Sequence, residues 1–226
     1  MRYTLLLVSF LIGFGTQAQL IPGSSLFFDG TDDYIDLGDV SGLNFGVSDT
    51  FAISLWIKIP PGSSGIDEII TKAGGPGLKG WGLQIRDGKP EFFAVSDFGT
   101  QSWYFIQASP DLRDDQWHYV VFNYNGASTP SSNSFFIDGI EISNLTVLAN
   151  TLNGDFQNTG LAYIGHYDGN NQQAGPEWFI GTMDELKVWN KTLEEAEIRE
   201  DLHLISNDLT SLISYRNILK LIIFLI

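Results

Sequence analysis

Phe51, Ile53, Leu55, Ile57 and Ile59 alternate without interruption with Ala52, Ser54, Trp56 and Lys58. A period of two is the repeat of a β-strand that buries one face, and Pro60-Pro61-Gly62 ends this one. Residues 81–86 and 91–96 flank Asp87-Gly88-Lys89-Pro90, and 135–137 and 140–142 flank Asp138-Gly139. Asp-Gly supplies the positive φ angles of a two-residue hairpin, so each flanking pair is expected to be antiparallel. Residues 103–108, the long aromatic and β-branched run 117–124 closed by Asn125-Gly126, and 161–165 add further strands. Near the start, Leu26-Phe27-Phe28 and Tyr34-Ile35-Asp36-Leu37 bracket Asp29-Gly30-Thr31-Asp32-Asp33, which reads as a hairpin-like opening.

Residues 179–189 form the last long strand. Phe179, Gly181, Met183, Glu185 and Lys187 alternate with Ile180, Thr182, Asp184, Leu186 and Val188, so one face is only partly apolar and carries an aspartate. A helix follows, with Thr192 and Glu195 spaced as a capping box. Many short strands, tight turns and one late helix define the expected fold class: all-β, a two-sheet antiparallel β-sandwich (jelly roll) with one short C-terminal helix.

The 226 residues are 43% hydrophobic and 17% charged, enough for one sizeable core. Twelve Lys and Arg against 27 Asp and Glu give a net charge of −15, and no basic run exists to neutralise phosphates. Nucleic acid is therefore not the expected partner; an acidic surface suits solubility and cations. There is no cysteine, which removes thiol nucleophiles, thiolate zinc sites and disulfides, and leaves stability to the core or to a bound metal ion. Residues 1–18 combine Arg2, the apolar run 5–12 and Gly15-Thr16-Gln17-Ala18, the layout of a signal peptide cleaved after Ala18. The run is short of the ~20 residues that span a bilayer, so no transmembrane span is expected in the mature chain. A secreted domain over 20–205 follows. Residues 206–226 form an atypical apolar tail, read as the start of a following module in a truncated or frameshifted parent, with a sheet-covering strand or short anchor as the alternative.

Taken in order, several blocks resemble a laminin-G-like, concanavalin-A-like jelly roll of the type found in secreted bacterial proteins. They are 26–30 with Asp33-Tyr34-Ile35, 51–58, Gln116-Trp117-His118-Tyr119-Val120, Phe136-Ile137-Asp138-Gly139, Tyr163-Ile164-Gly165 and 179–198. The resemblance implies two packed antiparallel sheets, commonly a calcium ion (Ca2+), and a role in adhesion or in binding a glycan or an extracellular protein. It also implies a candidate metal site, because Asp184 resembles the last-strand aspartate that holds structural calcium in related glucanases, and first and last strands that lie together would bring Asp29 near it. The alternative is that both aspartates only bond turn backbone.

Catalysis is not expected. Laminarinase-type relatives carry Glu-x-Asp-x-x-Glu on one strand, and that pattern is missing here. The clusters Asp67-Glu68, Asp114-Asp115 and Glu194-Glu195-Glu197 read as solvated turns or helix ends. His118, His166 and His203 form no metal motif, and no Gly-x-Ser-x-Gly elbow occurs. His118 reads as a structural strand residue and His166 as a surface one, while Trp56, Trp117 and Trp189 read as sheet-packing residues. For sugar binding, which uses aromatic faces and polar side chains, the candidates are Tyr167, Asp168, Asn171 and Trp178 in one loop and Trp103 elsewhere. The expected function is a secreted binding module; an adhesive spacer without a small ligand, or an accessory domain of a truncated glycoside hydrolase, are the alternatives.

Overall fold

The computed structural model describes residues 25–74, 78–167 and 177–203, and the backbone of 214–215 and 224–225. In chain order the strands are β1 (Leu26–Asp29), β2 (Ile35–Gly38), β3 (Thr50–Lys58), β4 (Ile66–Gly74), β5 (Lys79–Arg86), β6 (Lys89–Asp97), β7 (Ser102–Gln107) and β8 (Trp117–Asn125). They continue with β9 (Ser134–Ile137), β10 (Ile140–Glu141), β11 (Thr146–Asn150), β12 (Ala162–Ile164), β13 (His166–Tyr167), β14 (Glu177–Trp178) and β15 (Ile180–Trp189), then helix α1 (Glu195–His203). Short strands β16 (Ser214–Tyr215) and β17 (Phe224–Leu225) follow, β17 running parallel to β15.

Two sheets face each other. The first has the order β10-β9-β8-β3-β15, with β1 also paired to β15; the second has the order β11-β7-β6-β5-β4-β12-β2. Both Asp-Gly hairpins form as expected, with Asp87 at φ 50° and Gly88 at 82°, and Asp138 at 53° and Gly139 at 78°. The alternation of β3 puts Phe51, Ile53, Leu55 and Ile57 between the sheets, where Phe51 stacks on Phe45 at 4.4 Å and Phe92 stacks on Phe122 at 4.2 Å across the layers. Trp81 is buried in the same core and donates from Nε1 to the Leu43 carbonyl at 3.1 Å. Each such ring, fully buried, contributes about 1.5–3 kcal/mol.

The opening is not a hairpin. β1 joins the first sheet and β2 the second, so residues 29–33 carry the chain across the sandwich. Local bonds hold the crossing: the Asp29 carboxylate accepts from Thr31 N–H at 2.8 Å, and Asp33 accepts from Asp29 N–H at 3.0 Å. The turn residues suit either arrangement, and the two sheets decide between them.

Two further departures shape the rest. A bulge between Asp184 and Lys187, with Glu185 at φ 49°, shifts β15 by one residue. Met183, Leu186 and Val188 then all reach the core, while Lys187 and Trp189 face the outer side under α1. This explains why neither face of 179–189 reads as cleanly apolar. In place of the expected Thr192–Glu195 box, Glu197 accepts from Glu194 N–H at 2.9 Å, one half of a capping box two residues later, and Glu195 pairs with Arg199.

Candidate functional site

On the outer face of the second sheet, registered strands align side chains in rows. Glu68 on β4 lies opposite Gln84 on β5, Gln84 opposite Glu91 on β6, and Glu91 opposite Gln107 on β7, which makes one polar row. The next row runs from Gly82 to Phe93 to Phe105 and is apolar. Gly82 is required there: a Cβ would lie 2.4 Å from the Phe93 ring, which folds down over the glycine. Between these rows and the β13–β14 hairpin opens a cleft of about 300 Å³, lined by Glu68, Gln84, Arg86, Phe93, Phe105 and Glu177 among others. Tyr167 also lines it.

The polar floor is tightly bonded on one side. Arg86 Nε donates to both oxygens of Glu91 at 2.9 Å, Gln84 Nε2 donates to Glu91 at 2.6 Å, and Gln107 Nε2 donates to the Arg86 carbonyl at 3.1 Å. Burial pushes the Glu91 carboxyl up, and Arg86 opposes that shift. Glu68 is different. It is 1% exposed, its Oε2 has no hydrogen-bond partner, and burial followed by the neighbouring Glu177 carboxyl holds it well above the usual carboxylate range. Glu177 is pushed up too, mainly by burial. The two carboxyls line the cleft from opposite walls, β4 and β14.

Of the side chains expected from sequence to meet a ligand, Tyr167 lines this cleft. Trp103 stands behind it, edge-on to Phe98 at 5.2 Å and to Phe105 at 6.1 Å. Trp178 points the other way: β13 and β14 pair Tyr167 with Glu177 and His166 with Trp178, so the second pair faces away, and Trp178 stacks on His166 at 4.1 Å beside Tyr34. His166 is accordingly buried rather than a surface residue. Asp168 and Asn171 lie outside the described residues, as do residues 1–18, where a signal peptide is expected, and most of the tail. Trp117 opens β8 opposite Lys58 but is 36% exposed rather than a packed core residue.

Asp67 and Glu68 are corrected most sharply. They are buried within β4, not solvated in a turn. Gln84 and Arg86 fall at alternate positions on one face of β5, and that spacing is the one sequence signal for the floor.

Asp29 and Asp184 do not converge. Asp29 lies opposite Ile180, four residues along β15 from Asp184, or ~13 Å at the rise of a strand. Asp29 bonds turn backbone, the alternative foreseen for it. Asp184 is 3% exposed, with one oxygen accepting from Glu185 N–H at 2.9 Å and the other without a partner; burial pushes its carboxyl up to about 6. Among the described residues no three His, Asp or Glu side chains cluster as a metal site. His118 is a structural strand residue as expected, with Nδ1 2.8 Å from Asp138 and Nε2 3.2 Å from Asp114.

The fold is thus a two-sheet antiparallel sandwich with an aromatic-walled, carboxyl-floored cleft on one outer face. The family model of the concanavalin A-like lectin/glucanases superfamily matches residues 29–199, and the chain belongs to that family. Similar solved structures include the binding domain of Paraclostridial Mosquitocidal Protein 1 (16% identity, TM-score 0.53, 77% of this chain and 42% of that one). The botulinum neurotoxin serotype D binding domain is also similar (18%, 0.51, 77% and 42%), as is the mouse laminin alpha1 chain, domains LG4-5 (17%, 0.51, 76% and 44%). This chain spans less than half the length of each. A search of curated proteins found no match. No helix among the described residues is long and apolar enough to cross a membrane.

Proposed function

We propose that this chain is a secreted, non-catalytic binding module and that the cleft between the second sheet and the β13–β14 hairpin receives a sugar ring. The observation that carries the reading is the pairing of Phe93, Phe105 and Tyr167 with Glu68, Gln84 and Glu177 around one opening of sugar size. Aromatic faces stack on the apolar side of a pyranose while amide and carboxyl groups bond its hydroxyls.

A glycan array run with calcium and with chelator tests the function. Binding to at least one glycan class is expected, and Tyr167→Ala or Phe105→Ala should weaken it roughly tenfold or more, in line with the 1–3 kcal/mol lost when a stacking or packing ring is truncated. A folded protein that binds no glycan would instead favour the adhesive spacer. For calcium, the support is narrower: the unpartnered buried oxygen of Asp184, to be completed by backbone carbonyls. Calcium should raise the melting temperature over chelator, and Asp184→Asn should remove the rise; identical melting curves would dismiss the ion.

A further inference from the structure

The charges around the cleft do not balance. Glu68, Glu91 and Glu177 meet there with Arg86, and Arg86 has placed its Nε between both oxygens of Glu91. Arg86 reaches Glu68 only through its field. The pair Glu68 and Glu177 is left facing the opening, with Glu68 Oε2 buried and unbonded. Segments 75–77 and 168–176, which adjoin Leu78, Tyr167 and Glu177 in sequence, contain no Lys or Arg. A neutral sugar can donate a hydroxyl to one of these oxygens, but it leaves two carboxyl groups competing for one proton.

We propose that the cleft selects a cation, and that its ligand is a sugar carrying a free ammonium group, a de-N-acetylated amino sugar. This rests on the glycan reading above and sharpens it. An ammonium brings three donors and a full positive charge, so it can bond Glu68 Oε2 and Glu177 together where a hydroxyl cannot. Phe93, Phe105 and Tyr167 line the same cleft, and an aromatic face attracts a desolvated cation by about 0.5–2 kcal/mol. The net charge of −15 steers such a ligand inward and repels anionic glycans.

Binding has a proton signature. Burial raises both carboxyls, and the Glu177 charge raises Glu68 further, so the pair favours holding a proton when the cleft is empty. The groups facing that pair are Gln84 and Arg86 from β5, Glu91 from β6 and Tyr167 from β13, with Gln107 of β7 behind Glu91. An arriving ammonium stabilises the doubly ionised pair, so the shared proton passes to solvent as the complex forms. A neutral sugar leaves it in place.

The test is calorimetry at pH 6 with glucosamine oligomers, their N-acetylated counterparts and a tri-lysine peptide, each in two buffers of different ionisation enthalpy. The glucosamine oligomer should bind at least tenfold more tightly than the N-acetylated one, release protons, and weaken with added salt. Glu68→Gln should bring the two oligomers to parity. Glu177→Gln, on the opposite wall, should do the same and guards against a fold defect at β4, with near-ultraviolet circular dichroism reporting the fold of each variant. Equal affinity for the two oligomers overturns the cation inference and leaves the glycan reading standing. Binding of the peptide and of neither sugar, or of none of the three, overturns the amino-sugar inference, and the glycan array then decides the glycan reading by itself.

Discussion

Asp201→Ala is expected to destabilise the protein by about 3–5 kcal/mol, the loss found when one partner of a buried ion pair is removed and the other charge is stranded. Asp201 on α1 is 4% exposed and Lys187 on β15 is 2% exposed, and they meet at 2.6 Å. The second Asp201 oxygen accepts from the Tyr119 hydroxyl at 2.5 Å and from Ser54 Oγ at 3.4 Å, while Trp189 Nε1 donates to Ser54 Oγ at 3.1 Å. One carboxylate on the helix thus gathers donors from three adjacent strands, β8, β3 and β15. Burial, and then the Asp201 charge, hold the Tyr119 phenol well above its ordinary value, so it remains a donor. Around this knot Leu193 and Ile198 pack on Ala52, Val121 and Phe136, which is why the helix stays docked on an otherwise half-polar face.

Urea unfolding checks the size of the effect, read as a shift in midpoint at constant slope. Tyr119→Phe, which removes a single donor, should cost about 1–3 kcal/mol. A combined Lys187→Met, Asp201→Leu variant should recover much of the loss, because matched apolar replacement removes the stranded charge as well as the bond. If Asp201→Ala unfolds within 1 kcal/mol of the parent, the carboxylate does not anchor the helix.

The same knot shows what the sequence conceals. A pattern of two or 3.6 residues reports which side of an element is apolar, so the strands facing the common core, such as Thr50–Lys58 and Trp117–Asn125, are legible from local pattern alone. Both Asp-Gly turns are legible for a separate reason, since their φ angles demand those residues. β4 is not legible. Asp67 and Glu68 interrupt its apolar run, and nothing local reveals that one carboxyl meets Glu177 from a hairpin more than a hundred residues later, or that the other turns toward the interior. The bulge at Asp184–Lys187 hides β15 in the same way, by changing phase within the strand.

The cleft is legible only in pieces. Tyr167 stands out as an aromatic residue in a polar loop, and alternation places Gln84 and Arg86 on one face. Which aromatic residues join them depends on strand order across the sheet, and that brings Phe93 and Phe105 in while turning Trp178 away. The two aspartates expected to share calcium fail by register rather than by pairing: β1 does lie against β15, four residues out of step with the site.

Stability should fall as pH rises from 5 to 8, and Asp67 should account for roughly 3 kcal/mol of that fall. The Asp67 side chain is 5% exposed on the inward side of β4, opposite Ile85, with Oδ2 lacking a hydrogen-bond partner. Burial pushes its carboxyl up to about 7, with Ser63 and the Arg113 charge offsetting part of that rise and the Asp87 charge adding to it. An unfolded chain ionises the same group near pH 4. The folded state therefore holds a proton that the unfolded state has already lost. Its contribution is fully present below about pH 4 and disappears as pH climbs through about 7, at about 1.4 kcal/mol per pH unit. Glu68, Glu91 and Glu177 are raised by burial as well and slope the same way, so the parent's total loss exceeds the share of Asp67. The difference between the parent and Asp67→Asn isolates it, because an amide keeps the shape and has no proton to lose. Urea unfolding of both proteins at pH 5, 6.5 and 8 should show the variant losing about 3 kcal/mol less than the parent over that range and overtaking it at the alkaline end. Parallel losses in the two proteins would mean that Asp67 already ionises in the fold at pH 5, with its charge met by Arg113 rather than suppressed by burial.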